Sequence, residues 1–304
     1  MGARLTHWAL PLAAAALPTR AGFALLARAA ASDRVRHACE TQAFACAQRF
    51  ASLLPWAPGV APRIERDAWI RAWRLVQFVD NADLFVSMTR GARWLDRSVD
   101  VVGGWPARGA FLALSAHWGA GLWALHHMRR AGHRARFLLL RIDREAFAGD
   151  SAYLAYVRAR VRAVERATGA PVIYTGGATA EIDAAWQEGT SVIALCDAPP
   201  PPGRSTIVAH AGGLTFTMPA GLMRLACERR IPVVSFTASV VRSSGRRRID
   251  IAPALVYAQP RAMADSLAMW LASLIMSDSA AWHMWPYAAQ LLSVTAGAHA
   301  GVET

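Results

Sequence analysis

The chain has no lysine, so its formal charge of +12 across 304 residues is carried by arginine alone. A guanidinium binds phosphate and carboxylate through a fixed planar fork. The long-range field of such a charge attracts nucleic acid, anionic lipid headgroups and an acidic carrier protein alike, so charge by itself names no partner. No nucleic-acid-binding module is visible. The arginines are scattered, and their one dense run, Arg246-Arg247-Arg248 after Gly245, reads as a hairpin turn. Nucleic acid is therefore not an expected partner. Cysteine is scarce: Cys39, Cys46, Cys196 and Cys227 have neither paired metal spacing nor the density of a disulfide-stabilised secreted domain. They are expected to be small buried hydrophobes, and no metal site is expected. On a helix, the spacing of Cys39 and Cys46 would hold them about 10 Å apart, which excludes a disulfide.

Long hydrophobic runs and low-complexity linkers are also missing. No apolar stretch is long enough to span a bilayer, and nothing divides the chain, so residues 1–304 are expected to form one domain. Yet 54% of the residues are hydrophobic and twelve are tryptophan, more than an ordinary cytosolic domain requires. This composition points to contact with lipid rather than passage through it. Residues 1–50 are the part expected to make that contact. From Trp8 to Ala31 the chain is rich in Ala and Leu but broken by Pro11, Pro18, Arg20 and Arg28, unlike the uninterrupted core of a secretion signal. Two readings stand: a helix in the membrane interface with its arginines reaching toward phosphates, or a helix packed on the domain itself.

Periodicity places a helix from Ser32 to Arg49, capped by Ser32-Asp33. The stretch from Asp67 to Thr89 has apolar residues at helical spacings, and its Trp69, Trp73 and Phe78 line either an acyl groove or the core. Phe111 to Ala116 reads as a buried strand that runs into His117-Trp118-Gly119-Ala120-Gly121 and then a helix. Beyond it, strands and helices alternate: strands at Phe137 to Leu140, Pro171 to Tyr174 and Ser191 to Cys196, with helices at Ala152 to Ala167 and Ala178 to Gln187. Two short strands flank Ala211-Gly212-Gly213, a helix follows from Pro219 to Arg230, and a hairpin turns through Ser243-Ser244-Gly245. Two helices, Arg261 to Met276 and Ala280 to Leu292, close the chain. The expected fold is α/β, a central, largely parallel or mixed sheet flanked by helices, with a helical N-terminal segment.

The chemistry collects where strands end. His117 follows a buried strand, so its side chain lies in the crevice beyond the carboxyl edge of the sheet, where open α/β folds bind ligands. It is the candidate general base. Asp197 ends another strand on the same edge, ahead of Pro199-Pro200-Pro201-Pro202-Gly203, whose extended backbone sets the direction of Arg204, Ser205 and Thr206. Arg204 and Ser205 are candidates to hold a phosphate or a pantetheine arm, since a guanidinium grips two oxygens. A stiff surface loop in which Asp197 only caps amides is the plainer reading. His126, His127 and His133 lie on or after the next helix and are expected at its surface or end. Adjacent helical histidines point apart, which argues against a metal between His126 and His127.

Taken in order, several fragments resemble the late lipid A acyltransferase branch of the lysophospholipid acyltransferase superfamily. They are Ser115-Ala116-His117-Trp118-Gly119, Arg141, the Gly189-to-Asp197 segment, Pro219-Ala220-Gly221, Ile231-Pro232-Val233-Val234 and Trp282-His283-Met284-Trp285-Pro286. The resemblance runs from about Leu17 to Tyr287. It implies that a histidine deprotonates an acceptor hydroxyl or amine for attack on an acyl thioester, while an acid beyond four intervening residues orients the imidazole. It also implies that Arg141 lies near the acceptor or phosphate site and that Asp197 is an acid beyond the central strand. Gly119 and Gly121 would give small-residue access to the base. Acyl carrier protein or coenzyme A would deliver the acyl group, a membrane lipid would receive it, no cofactor would be needed, and the enzyme would sit peripherally on the cytoplasmic face of the bacterial inner membrane.

One departure stands out: the acid position is Leu122. Leucine cannot accept the imidazole N–H, so His117 needs a backbone carbonyl, water, or an acid from elsewhere such as Asp197 or Asp143. The expected function is acyl transfer with His117 as base opening onto a lipid-sized cleft. The alternative is a catalytically impaired homologue that binds acyl chains or lipid.

Overall fold

A proline and the extended residue before it decide the first break in the chain. The computed structural model describes residues 4–35, 39–55, 64–142, 145–147, 149–200 and 203–295. After a π-helical turn at Leu5–Ala9, helix α1 (Leu10–Ala16) ends at Leu17, whose backbone is extended (ψ 160°) as a residue before proline prefers. Pro18 then precedes α2 (Thr19–Ala31). The expected helix from Ser32 to Arg49 is replaced by α3 (Glu40–Ala51), and Ser32 ends α2 instead of capping a new helix. The hydroxyl of Ser32 accepts from Arg34 N–H at 3.3 Å, a local turn that competes with helix. Next come α4 (Arg66–Thr89), α5 (Ala92–Ser98), β1 (Val99–Val102), β2 (Leu112–Ser115), α6 (Leu122–Arg130) and β3 (Ala135–Leu139). They are followed by α7 (Ser151–Thr168), β4 (Ile173–Tyr174), α8 (Thr179–Gln187), β5 (Ser191–Leu195), β6 (Thr206–Ala211), β7 (Leu214–Pro219), α9 (Gly221–Glu228), β8 (Val233–Val240), β9 (Arg247–Ile251) and α10 (Pro260–Asp278).

The expected last helix from Ala280 does not form as one piece. Two 3₁₀ turns, Ser279–Ala281 and Trp285–Tyr287, lead into the single turn α11 (Ala288–Leu291) and strand β10 (Leu292–Val294). Pro286 has no N–H to donate and, as a mid-helix residue, would clash with the preceding turn.

The main sheet has seven strands in the order β1-β9-β8-β2-β5-β3-β4, all parallel except for the antiparallel β8–β9 pair. A smaller antiparallel sheet, β10-β7-β6, lies alongside. The mixed α/β expectation holds, with β1 and β10 unread in the sequence.

From β2 the chain crosses α6 to reach β3 on one side; from β5 it crosses α9 to reach β8 on the other. Right-handed crossovers running in opposite directions put their helices on opposite faces of the sheet. The packing agrees. Leu122, Trp123, Leu125 and Met128 of α6 are buried with Phe111 and Ala113, whereas Met223, Leu225 and Ala226 of α9 are buried with Leu112, Leu114 and Val192. Adjacent strands whose connections leave toward opposite faces open a crevice at their carboxyl ends. By strand order that switch point is between β2 and β5.

The long α4 is the spine of the helical side. Trp69, Ile70, Trp73, Val76, Phe78, Leu84 and Phe85 are all buried, so its aromatic stripe is core. Three ion pairs tie its polar residues to neighbours: Arg74 to Glu40 of α3 at 2.6 Å, Asp80 to Arg160 of α7 at 2.7 Å, and Asp83 to Arg247 of β9 at 2.5 Å. The N-terminal helices α1 and α2 pack onto α4 through Leu10, Ala14, Leu26, Ala29 and Ala30. Their backbones meet closely at Gly22, where a Cβ would stand 2.3 Å from the Ala14 carbonyl oxygen. Leu12, Leu17, Arg20 and Arg28 face outward. No helix among the described residues is long and apolar enough to cross a membrane.

Candidate active site

Parallel pairing of β2 with β5 sets Ser115 opposite Leu195, and Cys196 N–H donates to Ser115 O at 2.8 Å just past that pair. Two residues beyond each strand, the same register brings His117 beside Asp197. His117 Nδ1 lies 2.9 Å from Asp197 Oδ1, and the His117 backbone N–H donates to both carboxylate oxygens, at 3.1 and 2.9 Å. The indole N–H of Trp282 donates to Asp197 Oδ2 at 2.7 Å. Three donors thus converge on one carboxylate.

Exposure divides the pair. The Asp197 side chain is 1% exposed, while that of His117 is 35% exposed. Burial alone would push the Asp197 carboxyl upward, but the His117 ring and backbone N–H and the Trp282 indole outweigh it and hold the group below its ordinary value. An ionised carboxylate accepts only, so Nδ1 of His117 donates to it, and in the neutral form of the ring Nε2 is the nitrogen that carries the lone pair. Among the described residues none hydrogen-bonds to Nε2. A proton acceptor therefore faces the open edge of the sheet, backed by a buried negative charge.

The backbone around the ring is held from both sides. His283 N–H donates to His117 O at 2.8 Å, and His283 Nε2 lies 2.8 Å from Gly119 O. Gly119 N–H donates to Ala281 O, Ala120 N–H donates to Ala238 O, and Trp118 Nε1 donates to Ser239 Oγ. Gly119 has φ +60°, and a Cβ there would stand 2.1 Å from the Ala238 carbonyl oxygen. Glycine is obligatory at that position. Gly121 differs: it precedes α6 at φ −66°, and a Cβ there meets nothing within 4 Å. Its smallness is not needed by the chain's own packing.

Arg141, Arg204 and Ser205 follow strands on the same carboxyl edge, and among the described residues none of them hydrogen-bonds or ion-pairs with His117 or Asp197. Arg141 follows β3, exposed, with its guanidinium 5.1 Å from the Tyr174 ring centre. Arg204 and Ser205 are exposed in the loop after β5. The hydroxyl of Ser205 accepts from Arg224 at 3.4 Å, and Arg204 approaches Gly176, the residue after Thr175 at the end of β4. No ion pair joins Arg141, Arg204 or Arg224 to a described carboxylate. Asp143, the other acid considered for His117, lies outside the described residues, as do Pro201 and Pro202.

Leu122 is buried in the core on the α6 face of the sheet. His126 and His127 are half-buried rather than superficial: His127 Nδ1 accepts from Trp105 Nε1 at 3.0 Å, and burial lowers the pKa of both rings. No disulfide joins the four cysteines; Cys196 and Cys227 are buried and the two on or beside α3 are half-buried. A cavity of about 480 Å³ between α5, β1 and α6, lined by Val99, Val101, His127 and Arg130, shares no residue with the pair.

No family model and no curated protein matches this chain. The site therefore stands on its geometry.

Sequence reasoning placed His117 and Asp197 on one edge but gave Trp282 and His283 no role. The Trp-His-Met-Trp-Pro cluster was the available signal. Reading it as helix concealed that Trp282 leaves a 3₁₀ turn and bridges to Trp118 in a short antiparallel pairing.

Proposed function

We propose that this protein is an acyltransferase in which His117 is the general base and Asp197 the acid that orients it. The observation that carries the reading is the 2.9 Å contact between His117 Nδ1 and the buried Asp197 carboxylate, with Nε2 free at the switch point of the sheet. In the reaction, Nε2 takes the proton of an acceptor hydroxyl or amine as that group attacks the thioester carbonyl. The tetrahedral intermediate then collapses, the C–S bond breaks, and Nε2–H gives its proton to the departing sulfur, so that a thiol leaves and the neutral ring is restored. Asp197 supports the imidazolium between these steps without taking its proton.

The donor is an acyl thioester of acyl carrier protein or coenzyme A and the acceptor a membrane lipid. Supporting this are the ordered fragments that resemble the late lipid A acyltransferase branch and the exposed Arg141 and Arg204 after strands on the carboxyl edge, which lack described acidic partners. The fold suits the lysophospholipid acyltransferase superfamily. The outward face of α1 and α2, with exposed Leu12 and Leu17 beside Arg20 and Arg28, suits a peripheral seat on the cytoplasmic leaflet of an inner membrane. The absent acid at Leu122 argues for binding without catalysis; the contact of Asp197 with His117 Nδ1 supports catalysis instead.

Purified protein and His117→Ala, incubated with radiolabelled acyl thioesters and membrane extract, test the proposal. Wild type should form acylated lipid and the variant should lose at least about 10²-fold, the scale of general-base catalysis. Equal product from both removes His117 from the mechanism. Mass spectrometry of lipids from cells with and without the protein identifies the acceptor.

A further inference from the structure

We infer that Trp282 is a positioning residue for this chemistry: its indole N–H holds Asp197 Oδ2, and through that carboxylate fixes the direction and tautomer of the His117 ring. The inference deepens the acyl-transfer reading and rests on it for its kinetic test. Its spectroscopic test does not.

A buried indole N–H usually finds an acceptor, though those of Trp123 and Trp186 have none among the described residues, and three near Trp282 find neutral ones. Trp285 Nε1 donates to Ser279 O at 2.6 Å, Trp73 Nε1 to Trp282 O at 3.2 Å, and Trp69 Nε1 to Ser279 Oγ at 2.8 Å. Trp282 is also fully buried, yet its N–H goes to the carboxylate that supports the candidate base. Trp282 and Trp285 stack edge to face, 4.8 Å between ring centres, so they share one packing environment and differ in what their N–H groups hold.

The division of donors gives Trp282 its effect. Oδ1 of Asp197 receives the His117 ring and part of the backbone N–H; Oδ2 receives the rest of that N–H and the indole. Without the indole, only a shared backbone donor remains on Oδ2, and the carboxylate is free to rotate away from the ring plane. It also accepts more strongly from Nδ1–H, because fewer donors share its charge. The local backbone adds rigidity: Trp282 bridges to Trp118, and the next residue, His283, donates to His117 O. One C-terminal segment thus braces both the ring's backbone and the ring's acid.

The experiment uses the full-length protein with Trp282→Phe, Trp285→Phe as packing control, and Trp282 replaced by its benzothiophene isostere, which keeps the shape and removes only the N–H. The readouts are kcat and KM against pH and the proton NMR resonance of His117 Nδ1–H. Loss of one hydrogen bond to a charged acceptor predicts a fall in kcat of roughly 10- to 100-fold with KM unchanged. The acidic limb of the kcat profile should move upward and the Nδ1–H resonance downfield for both Trp282 replacements. Trp285→Phe should lower stability and leave both readouts in place. If Trp282→Phe does not fold, the isostere decides alone. An isostere with wild-type resonance and pH profile overturns the inference, whatever its rate. If the resonance moves as expected but wild type transfers no acyl group from any thioester, the positioning stands and the acyl-transfer reading falls.

Discussion

Asp197→Asn changes one atom of a site in which every neighbour donates. Three N–H groups point at the carboxylate: the ring Nδ1–H and backbone N–H of His117, and the Trp282 indole. An asparagine offers one acceptor oxygen and two donor hydrogens. With its oxygen toward Trp282 and the backbone N–H, its NH₂ faces Nδ1, which must then accept. The proton moves to Nε2 and the base is lost. With the oxygen toward Nδ1, the NH₂ opposes the indole N–H, leaving a buried donor unpaired at a cost of about 1–3 kcal/mol. The first arrangement is therefore expected, in the wrong tautomer. An equivalent change in serine-protease triads costs about 10⁴-fold in kcat, so a loss of about 10³- to 10⁴-fold is predicted here, or about 4–5.5 kcal/mol of barrier. The variant should fold, and its KM should stay near wild type because Asp197 is sealed from substrate. Linkage gives a second readout. The folded carboxyl sits below its ordinary value, so ionisation stabilises the fold above the unfolded pKa of about 3.9, and that contribution is lost as pH falls through the folded value. Urea unfolding should show wild type more stable than Asp197→Asn by a constant margin near neutrality, shrinking below about pH 4. Turnover within about tenfold of wild type would refute the relocated acid.

Gly119→Ala should inactivate the protein and lower its melting temperature. The left-handed backbone costs about 1–2 kcal/mol for alanine, and the new Cβ would meet the Ala238 carbonyl oxygen at 2.1 Å. Calorimetry beside an activity assay checks both effects, and an active, equally stable variant contradicts the geometry. Gly121→Ala, with open space around it, should keep its fold, so a selective rise in KM would place substrate there. Leu122→Glu, which writes the expected motif back into the sequence, should destabilise by several kcal/mol because it buries a charge among Phe111, Trp123 and Met128. It should not raise turnover; a faster and equally stable variant would show that the acid's place had never moved.

The alternation of strands and helices was legible because buried parallel strands are short continuous apolar runs and their crossover helices carry a different period. Phe111 to Ala116 and Ser191 to Cys196 are such runs, and each strand lies within a residue or two of its expected place. From two strand ends on one edge, candidate residues followed. Adjacency did not. Only the strand order puts β5 beside β2 rather than beyond β3, and without it Asp197 and Asp143 are equal candidates. The C-terminal error has the same origin. Ala280 to Leu292 carries helical spacing, and its apolar residues are indeed buried, but the backbone hydrogen bonds go to β2's extension instead of along a helix. His283 N–H to His117 O and Gly119 N–H to Ala281 O are long-range bonds that a local period cannot encode. Val99–Val102 was missed because an edge strand with three exposed residues lacks a buried run.

Placing the acid after β5 rather than on α6 changes what holds the base in position. An acid at position 122 would ride on the first turn of a helix, and its aim would depend on how that helix docks. Asp197 is tied to His117 by sheet register: Ser115 opposite Leu195, one ladder bond beyond, then the two side chains. A parallel ladder at the centre of a seven-stranded sheet moves very little. The position on α6 is then free for Leu122 to join the core. The cost of burying a carboxylate is offset locally by the three donors it orients, two of them from the residue it serves. An acid so supplied needs no helix beside it, and the same coupling makes the base sensitive to any change in the β2–β5 register. Random substitutions that shift this register, even far from the carboxyl edge, should therefore lower kcat in proportion to their disruption of the His117 Nδ1–H resonance, which a helix-borne acid would not require.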